Sequence, residues 1–146
     1  MNMKPNMHFS ARIKLTLHTE ERFFGPGICE LLEKIQETGS IQAAAAEMGM
    51  SYSKAWRILN RAEQEMGTRL IIRKSGGREG GSSNLTEDGE HAIWVFREME
   101  KALTENANDM LRAYYPAFTE ANGDGQAPAL PGKAVSWEKQ ERRKET

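Results

Sequence analysis

Between Pro26 and Gly67 the chain carries three successive apolar periods of about 3.6 residues, each closed by a glycine. The first stripe is Ile28, Leu31, Leu32 and Ile35, with Pro26 suited to a first helical turn and Gly39 placed as a C-terminal cap. Ser40 then caps a short helix carrying Ile41, Ala44, Ala45 and Met48, which ends at Gly49. After a turn at Met50, Ser51 opens a third helix that runs to about Gly67. Helices joined by so few residues must pack closely on one another. Ala45, four residues before Gly49, lets two of them cross at short range, and the geometry expected is a helix-turn-helix.

The flanks of this unit read differently. Residues 1–10 show no period and are expected to form a flexible arm. From Arg12 the alternation of Ile13, Leu15 and Leu17 with polar neighbours predicts a half-buried strand. After Gly67, Leu70–Ile72 predicts a short strand. Ser75–Ser83 has four glycines in nine residues and is expected to be the flexible tip of a hairpin that returns through Asn84 and Leu85. Thr86 caps a long helix, about 86–115, with Glu87 and Asp88 favourably placed at its positive end. From 116 to 146 the chain is mostly Gly, Pro, Ala and charge, and a disordered tail is expected. The predicted organisation is therefore an arm (1–10), a folded α+β, mainly α unit (11–115) and a tail (116–146).

Charge singles out the third helix. Ala55, Leu59, Ala62 and Met66 fall on one face together with Tyr52. Lys54, Arg57 and Arg61 fall on the other, beside Ser53, Asn60 and Gln64. From Lys54 to Arg78 seven basic residues face two acidic ones, inside a chain whose formal net charge is -1. A solvated surface face is the plain explanation of a lone cationic helix. Here the helix is the second of a tight helix-turn-helix, and the basic stretch continues through Arg73, Lys74 and Arg78 into the glycine-rich hairpin. A helix plus a basic hairpin is what a winged helix presents to a DNA duplex, the helix entering the major groove and the wing following the phosphates.

The run Gly39-Ser40-Ile41 through Ala44-Ala45, followed by Gly49-Met50-Ser51-Tyr52-Ser53-Lys54-Ala55-Trp56, resembles the amino-terminal DNA-binding domain of ModE-type molybdate-dependent transcriptional regulators. More distantly it is similar to LysR-type winged helices. Gly76-Gly77-Arg78-Glu79-Gly80-Gly81 and Leu85-Thr86-Glu87-Asp88-Gly89 are similar to that family's wing and the start of its long dimerisation helix. The likeness covers roughly Ala11 to Leu103 and implies a winged helix-turn-helix with a long C-terminal dimerisation helix, acting as a sequence-specific transcriptional regulator. Members of the family carry further carboxy-terminal modules that bind molybdate. The polar stretch after the long helix is unsuited to such a module, so a stand-alone form that does not bind molybdate is expected.

Position assigns the roles. Ser51, Tyr52 and Ser53 open the recognition helix (51–67) and would meet a phosphate or base edge. Lys54, Arg57 and Arg61 are candidates for base edges, since Arg matches the two major-groove acceptors of guanine. Arg73, Lys74 and Arg78 would track phosphates or probe the minor groove from the wing (73–83). Tyr52 lies on the apolar face, so burial fits it as well as contact does, and Trp56, at the edge of that face, is expected in the core. On the long helix Phe96, Met99, Leu103 and Met110 suggest pairing with a second copy; the alternative is that this helix packs back on the three-helix core.

Other chemistry finds little footing. No apolar run approaches the roughly 18 residues of a membrane span, and the first residues lack the apolar stretch of a secretory signal. A cytoplasmic protein is expected. Cys29 reads as a buried structural thiol. His8, His18 and His91 match no metal-ligand spacing, no nucleophilic arrangement of Ser, His and acid is evident, and the glycine-rich loop lacks the Gly-Lys-Ser/Thr ending of a phosphate-cradling loop. The expectation is a DNA-binding protein without enzymatic activity, cofactor or metal, and a homodimer. An architectural DNA binder of low specificity and a winged helix turned to protein interaction are the alternatives.

Overall fold

The computed structural model describes residues 8–74 and 81–119. The order of elements is β1 (Leu17–His18), β2 (Arg22–Phe24), α1 (Pro26–Thr38), α2 (Ile41–Glu47), α3 (Tyr52–Met66), β3 (Ile71–Lys74), β4 (Ser82–Leu85) and α4 (Glu87–Tyr114), followed by a 3-10 turn at Pro116–Phe118. Two small antiparallel sheets, β1–β2 and β3–β4, flank the helices, and the architecture is a winged helix-turn-helix. By its contacts the chain falls into two compact units, one of residues 13–101 and the other of the residues up to 12 with those from 102 onward.

In the larger unit the helix boundaries follow local chemistry. Gly39, Gly49 and Gly67 all sit at φ near +70°, the left-handed region where a side chain is strained and where helices commonly stop. At the other ends, Ser40 Oγ accepts from Ala43 N at 3.1 Å and Ser51 Oγ accepts from Lys54 N at 3.1 Å. Each such cap is worth about 1 kcal/mol. Thr86 does this for α4, accepting from Gly89 N at 3.0 Å while donating to Arg69 O at 2.6 Å. The core gathers Ile28, Leu31, Leu32 and Ile35 of α1, Ile41, Ala44 and Ala45 of α2, Ala55, Leu59 and Ala62 of α3, and Leu70 and Ile71. Phe24 and Phe96 close it, their ring centroids 5.2 Å apart.

The hairpin β3–β4 pairs Ile71 with Leu85 through Lys74 with Ser82. Its base is stitched to the helices by Ser83 N donating to Gly39 O at 2.8 Å and Thr86 N donating to Leu70 O at 3.0 Å. Arg78 and the rest of 75–80 lie outside the described residues. Among the described residues no helix is long and apolar enough to cross a membrane.

Four expectations are corrected. The strand predicted from Arg12 to Leu17 shrinks to Leu17–His18, because its partner β2 ends at Phe24, where Gly25 begins the turn into α1 and leaves residues 13–16 no backbone to pair with. Ile13 is accordingly exposed, while Leu15 and Leu17 still pack on the core. Phe96 is not available to a second copy, being only 1 % exposed, and Met99 packs against the same core. Within the smaller unit the arm is not free along its whole length. Phe9 stacks on Phe118 at 4.6 Å and donates its N–H to Phe118 O at 2.6 Å, and Ala11 N donates to Asn108 Oδ1 at 2.7 Å. The tail begins with the ordered turn Pro116–Phe118, and residues 120–146 lie outside the described ones.

Two measurements check this packing. A Cβ at Gly89 would come within 2.2 Å of Leu70 O, a backbone atom that cannot swing away. Gly89→Ala should therefore destabilise the fold by about 1–3 kcal/mol in urea unfolding, whereas Gly27→Ala, with nothing within 4 Å of the new Cβ, should be neutral or gain up to about 1 kcal/mol. Cys29 is fully buried, and that burial pushes its thiol up to about 11, against a smaller lowering by Arg97. At mildly alkaline pH it should resist an aromatic disulfide reagent in the native protein and react at once in urea; rapid native reaction would contradict this packing.

Candidate nucleic-acid interface

The faces of α3 are sorted by burial. Ala55, Leu59 and Ala62 have no exposed surface, so the side of the helix away from them is presented to solvent. Ser51, Ser53, Lys54, Arg57 and Arg61 are all exposed there. Ser51 already serves as the N-cap of α3, which engages its oxygen as an acceptor and leaves its O–H free to donate. Ser53, Lys54 and Arg57 make no side-chain hydrogen bond or ion pair among the described residues. Arg61 is held by Glu21 at 2.7 Å, an ion pair open to water on both sides.

Tyr52 is half exposed and outside the core, its hydroxyl accepting from Trp56 Nε1 at 2.8 Å. Trp56 is not a core residue either. It is half-buried on the surface, and the Arg73 guanidinium carbon sits 3.5 Å above its ring. A cation over indole at that distance is worth about 0.5–2 kcal/mol. Arg73 also lies 3.6 Å from Glu63 Oε1 and donates to Asn60 Oδ1 at 3.4 Å. Its charge is thus committed to α3, and it is a poor candidate for following phosphates, contrary to the expectation for the wing. Glu63 does double duty, accepting from Leu70 N at 2.9 Å, so one carboxylate ties α3 to the base of the hairpin. Lys74, one residue on, is exposed.

Two open depressions result. One runs along α3 and is lined by Tyr52, Ser53, Trp56, Arg57, Asn60, Arg61 and Gln64. The other lies where α2, the start of α3 and the hairpin meet, with Ser40, Gln42, Tyr52, Lys74 and Ser82 on its walls. Gln42 is exposed in the first turn of α2 and was not anticipated from the sequence; its only signal is a polar side chain beside the buried Ile41. The surface is shallow, rich in hydrogen-bond donors and cationic. That chemistry suits an extended polyanion with polar edges better than a small enclosed substrate. Among the described residues no three His, Cys, Asp or Glu side chains come together as metal ligands.

On α4, Leu103 and Met110 are 44 % and 46 % exposed, as an interface with a second copy would need. Trp94, which sequence reasoning passed over, is 62 % exposed.

Comparison with known proteins fits this geometry. Residues 29–90 match the family model described as bacterial regulatory helix-turn-helix protein, lysR family. The chain is similar to the transcriptional regulator ModE of Yersinia pestis, 36 % identical over 103 residues that make up 70 % of this chain and 39 % of that protein. It is 36 % identical to the molybdenum transport protein ModE of Herbaspirillum seropedicae over 63 % of this chain and 32 % of that one. With the DNA-binding transcriptional dual regulator ModE of Escherichia coli it shares 33 % identity over 69 % of this chain and 38 % of that one. Full-length CbnR complexed with its target DNA is a structural neighbour at TM-score 0.44 and 22 % identity, over 60 % of this chain and 28 % of that one. The chain thus spans under two-fifths of the length of these ModE relatives. Residues 29–90 are thus similar to the lysR-family helix-turn-helix, in a chain that is similar to ModE regulators over about two-thirds of its length.

Proposed function

We propose that this chain is a sequence-specific DNA-binding transcriptional regulator, with α3 entering the major groove and the β3–β4 hairpin lying along the phosphate backbone. The observation that carries the reading is the sorting of α3, whose Ala55, Leu59 and Ala62 are wholly buried while Ser53, Lys54 and Arg57 stand exposed and unengaged among the described residues. The names of the ModE relatives support it. Arg57, midway along the exposed face, is the base-reading candidate, since its planar donors match guanine O6 and N7. Lys54, Arg61 and Lys74 supply sequence-neutral attraction to phosphate. No catalytic chemistry is assigned, and such a regulator would work where the chromosome lies, in the cytoplasm. The chain acts as a homodimer through α4, with the exposed Leu103 and Met110, which share one face of that helix, as its contacts. Two recognition helices would then read half-sites about 34 Å apart.

The test is to pass fragmented genomic DNA over the purified chain near physiological salt and sequence what is retained. A few promoter fragments sharing paired half-sites are expected. Arg57→Ala should lower affinity for such a fragment by roughly tenfold to a hundredfold, about 1–3 kcal/mol, with little change on unrelated DNA. Uniform weak retention would replace the reading by an architectural binder, and no retention by a protein-interaction module. Light scattering should give twice the chain mass at micromolar concentration, and a monomer there would remove the dimer.

A further inference from the structure

Advancing about 100° per residue along α3, three strips stand outside the core. Ser53, Arg57 and Gln64 form a central ridge. Trp56, Asn60 and Glu63 lie on one flank, where Arg73 of the wing is stacked and bonded. Lys54, Ile58, Arg61 and Glu65 lie on the other flank, and there the β1–β2 hairpin is docked. Glu21 binds Arg61 at 2.7 Å, and Thr19 Oγ1 donates to Glu65 Oε2 at 3.0 Å. Phe24 of the same hairpin is buried in the core, so the hairpin is held to α3 at its tip and to the core at its base.

Between this hairpin and α3 runs a cleft whose lining combines Lys14, Arg22, Lys54 and Arg61 with apolar side chains such as Phe23 and Ile58, and no acidic side chain lines it. Lys14 and Arg22 are exposed, and neither makes an ion pair among the described residues. Four cations from three separate stretches of chain therefore converge beside the ridge. Only Arg61 has an acidic partner, at the rim.

A helix lying in the major groove has a phosphate backbone on each side of it, because the groove is about 12 Å wide and walled by both strands. The wing reaches one wall. We propose that the β1–β2 hairpin is a second wing, with Lys14 and Arg22, joined by Lys54, contacting backbone phosphates of duplex DNA on the opposite wall. The inference rests on the reading of α3 as a recognition helix. It adds residues that precede the helix-turn-helix in the chain and that contribute attraction without reading bases.

The experiment measures binding of a mixed-sequence DNA duplex to the chain by fluorescence anisotropy over a range of salt concentrations. Each phosphate contact contributes about 0.9 to the slope of log affinity against log salt. The double variant Lys14→Gln, Arg22→Gln should show a slope shallower by nearly two and an affinity lower by roughly tenfold or more near 0.1 M salt. Its melting temperature should be unchanged, since both side chains are exposed. The charge-keeping variant Lys14→Arg, Arg22→Lys should restore the slope. An unaltered slope in the Gln variant overturns the second wing, and so does a loss that the charge-keeping variant fails to rescue. If either occurs while Arg57→Ala still abolishes preference for retained genomic fragments, the recognition-helix reading stands alone. If the unsubstituted chain binds no duplex at all, both fall together.

Discussion

Ala55, Leu59 and Ala62 set the rotation of α3 about its own axis, and everything on its outer surface follows from that setting. The two alanines allow close approach to the neighbouring helices, and Leu59 fills the space between; all three are without exposed surface. Rotating the helix by one residue, about 100°, would carry Lys54 or Trp56 into that contact. Burying an unpaired ammonium costs several kcal/mol, and an indole is far too large for a site shaped for alanine. The outward ridge of Ser53, Arg57 and Gln64 is thus fixed by what lies on the opposite side of the helix.

The same helix sets the position of the wing. Glu63 accepts from the backbone of Leu70 and attracts Arg73, while Arg73 lies over Trp56. The start of α4 is drawn into this corner, with Gly89 close enough to Leu70 O to exclude any side chain. Helix, wing and the entry to α4 therefore share one small cluster of contacts around residues 63, 70, 73 and 89. The base of the wing, up to Lys74, is thereby tied directly to α3.

Much of this was legible in the sequence because it depends on neighbours close along the chain. Caps at Ser40, Ser51 and Thr86, stops at Gly39, Gly49 and Gly67, and the burial of Ala55, Leu59 and Ala62 all follow from spacings of a few residues, whereas Met66, predicted on the same face, is 37 % exposed in the last turn of α3. What escaped depends on partners far apart in sequence. A helical wheel places Trp56 at the edge of the apolar face, but it cannot reveal that Arg73, seventeen residues on, will cover the ring and make a half-exposed position favourable. Phe96 reads as part of a heptad until Phe24, from a strand too short to show a period, is found against it. Phe9 looked free because its partner Phe118 lies more than a hundred residues further along the chain.

Charge shows the same limit in a form that bears on function. Counted along the sequence, the positive excess runs from Lys54 to Arg78; in space two of those charges are spoken for and others arrive from elsewhere. Arg73 is only 22 % exposed, beside a Glu63 that is 12 % exposed, so separating them would leave a carboxylate poorly solvated. The Arg61–Glu21 pair is 43 % and 73 % exposed, and a pair so open to water is worth about 1 kcal/mol or less. A phosphate oxygen can replace Glu21 at Arg61 at little cost, but it cannot replace Glu63 at Arg73. Among the described residues, the cations on and beside α3 that a polyanion can recruit include Lys54, Arg57, Lys74 and Arg61, with Lys14 from the stretch before the first hairpin and Arg22 from the hairpin itself. On the flank where Arg73 is bound, by contrast, the described cation is already neutralised by Glu63, so the charge open to an incoming anion stands on the ridge of α3 and on its other flank.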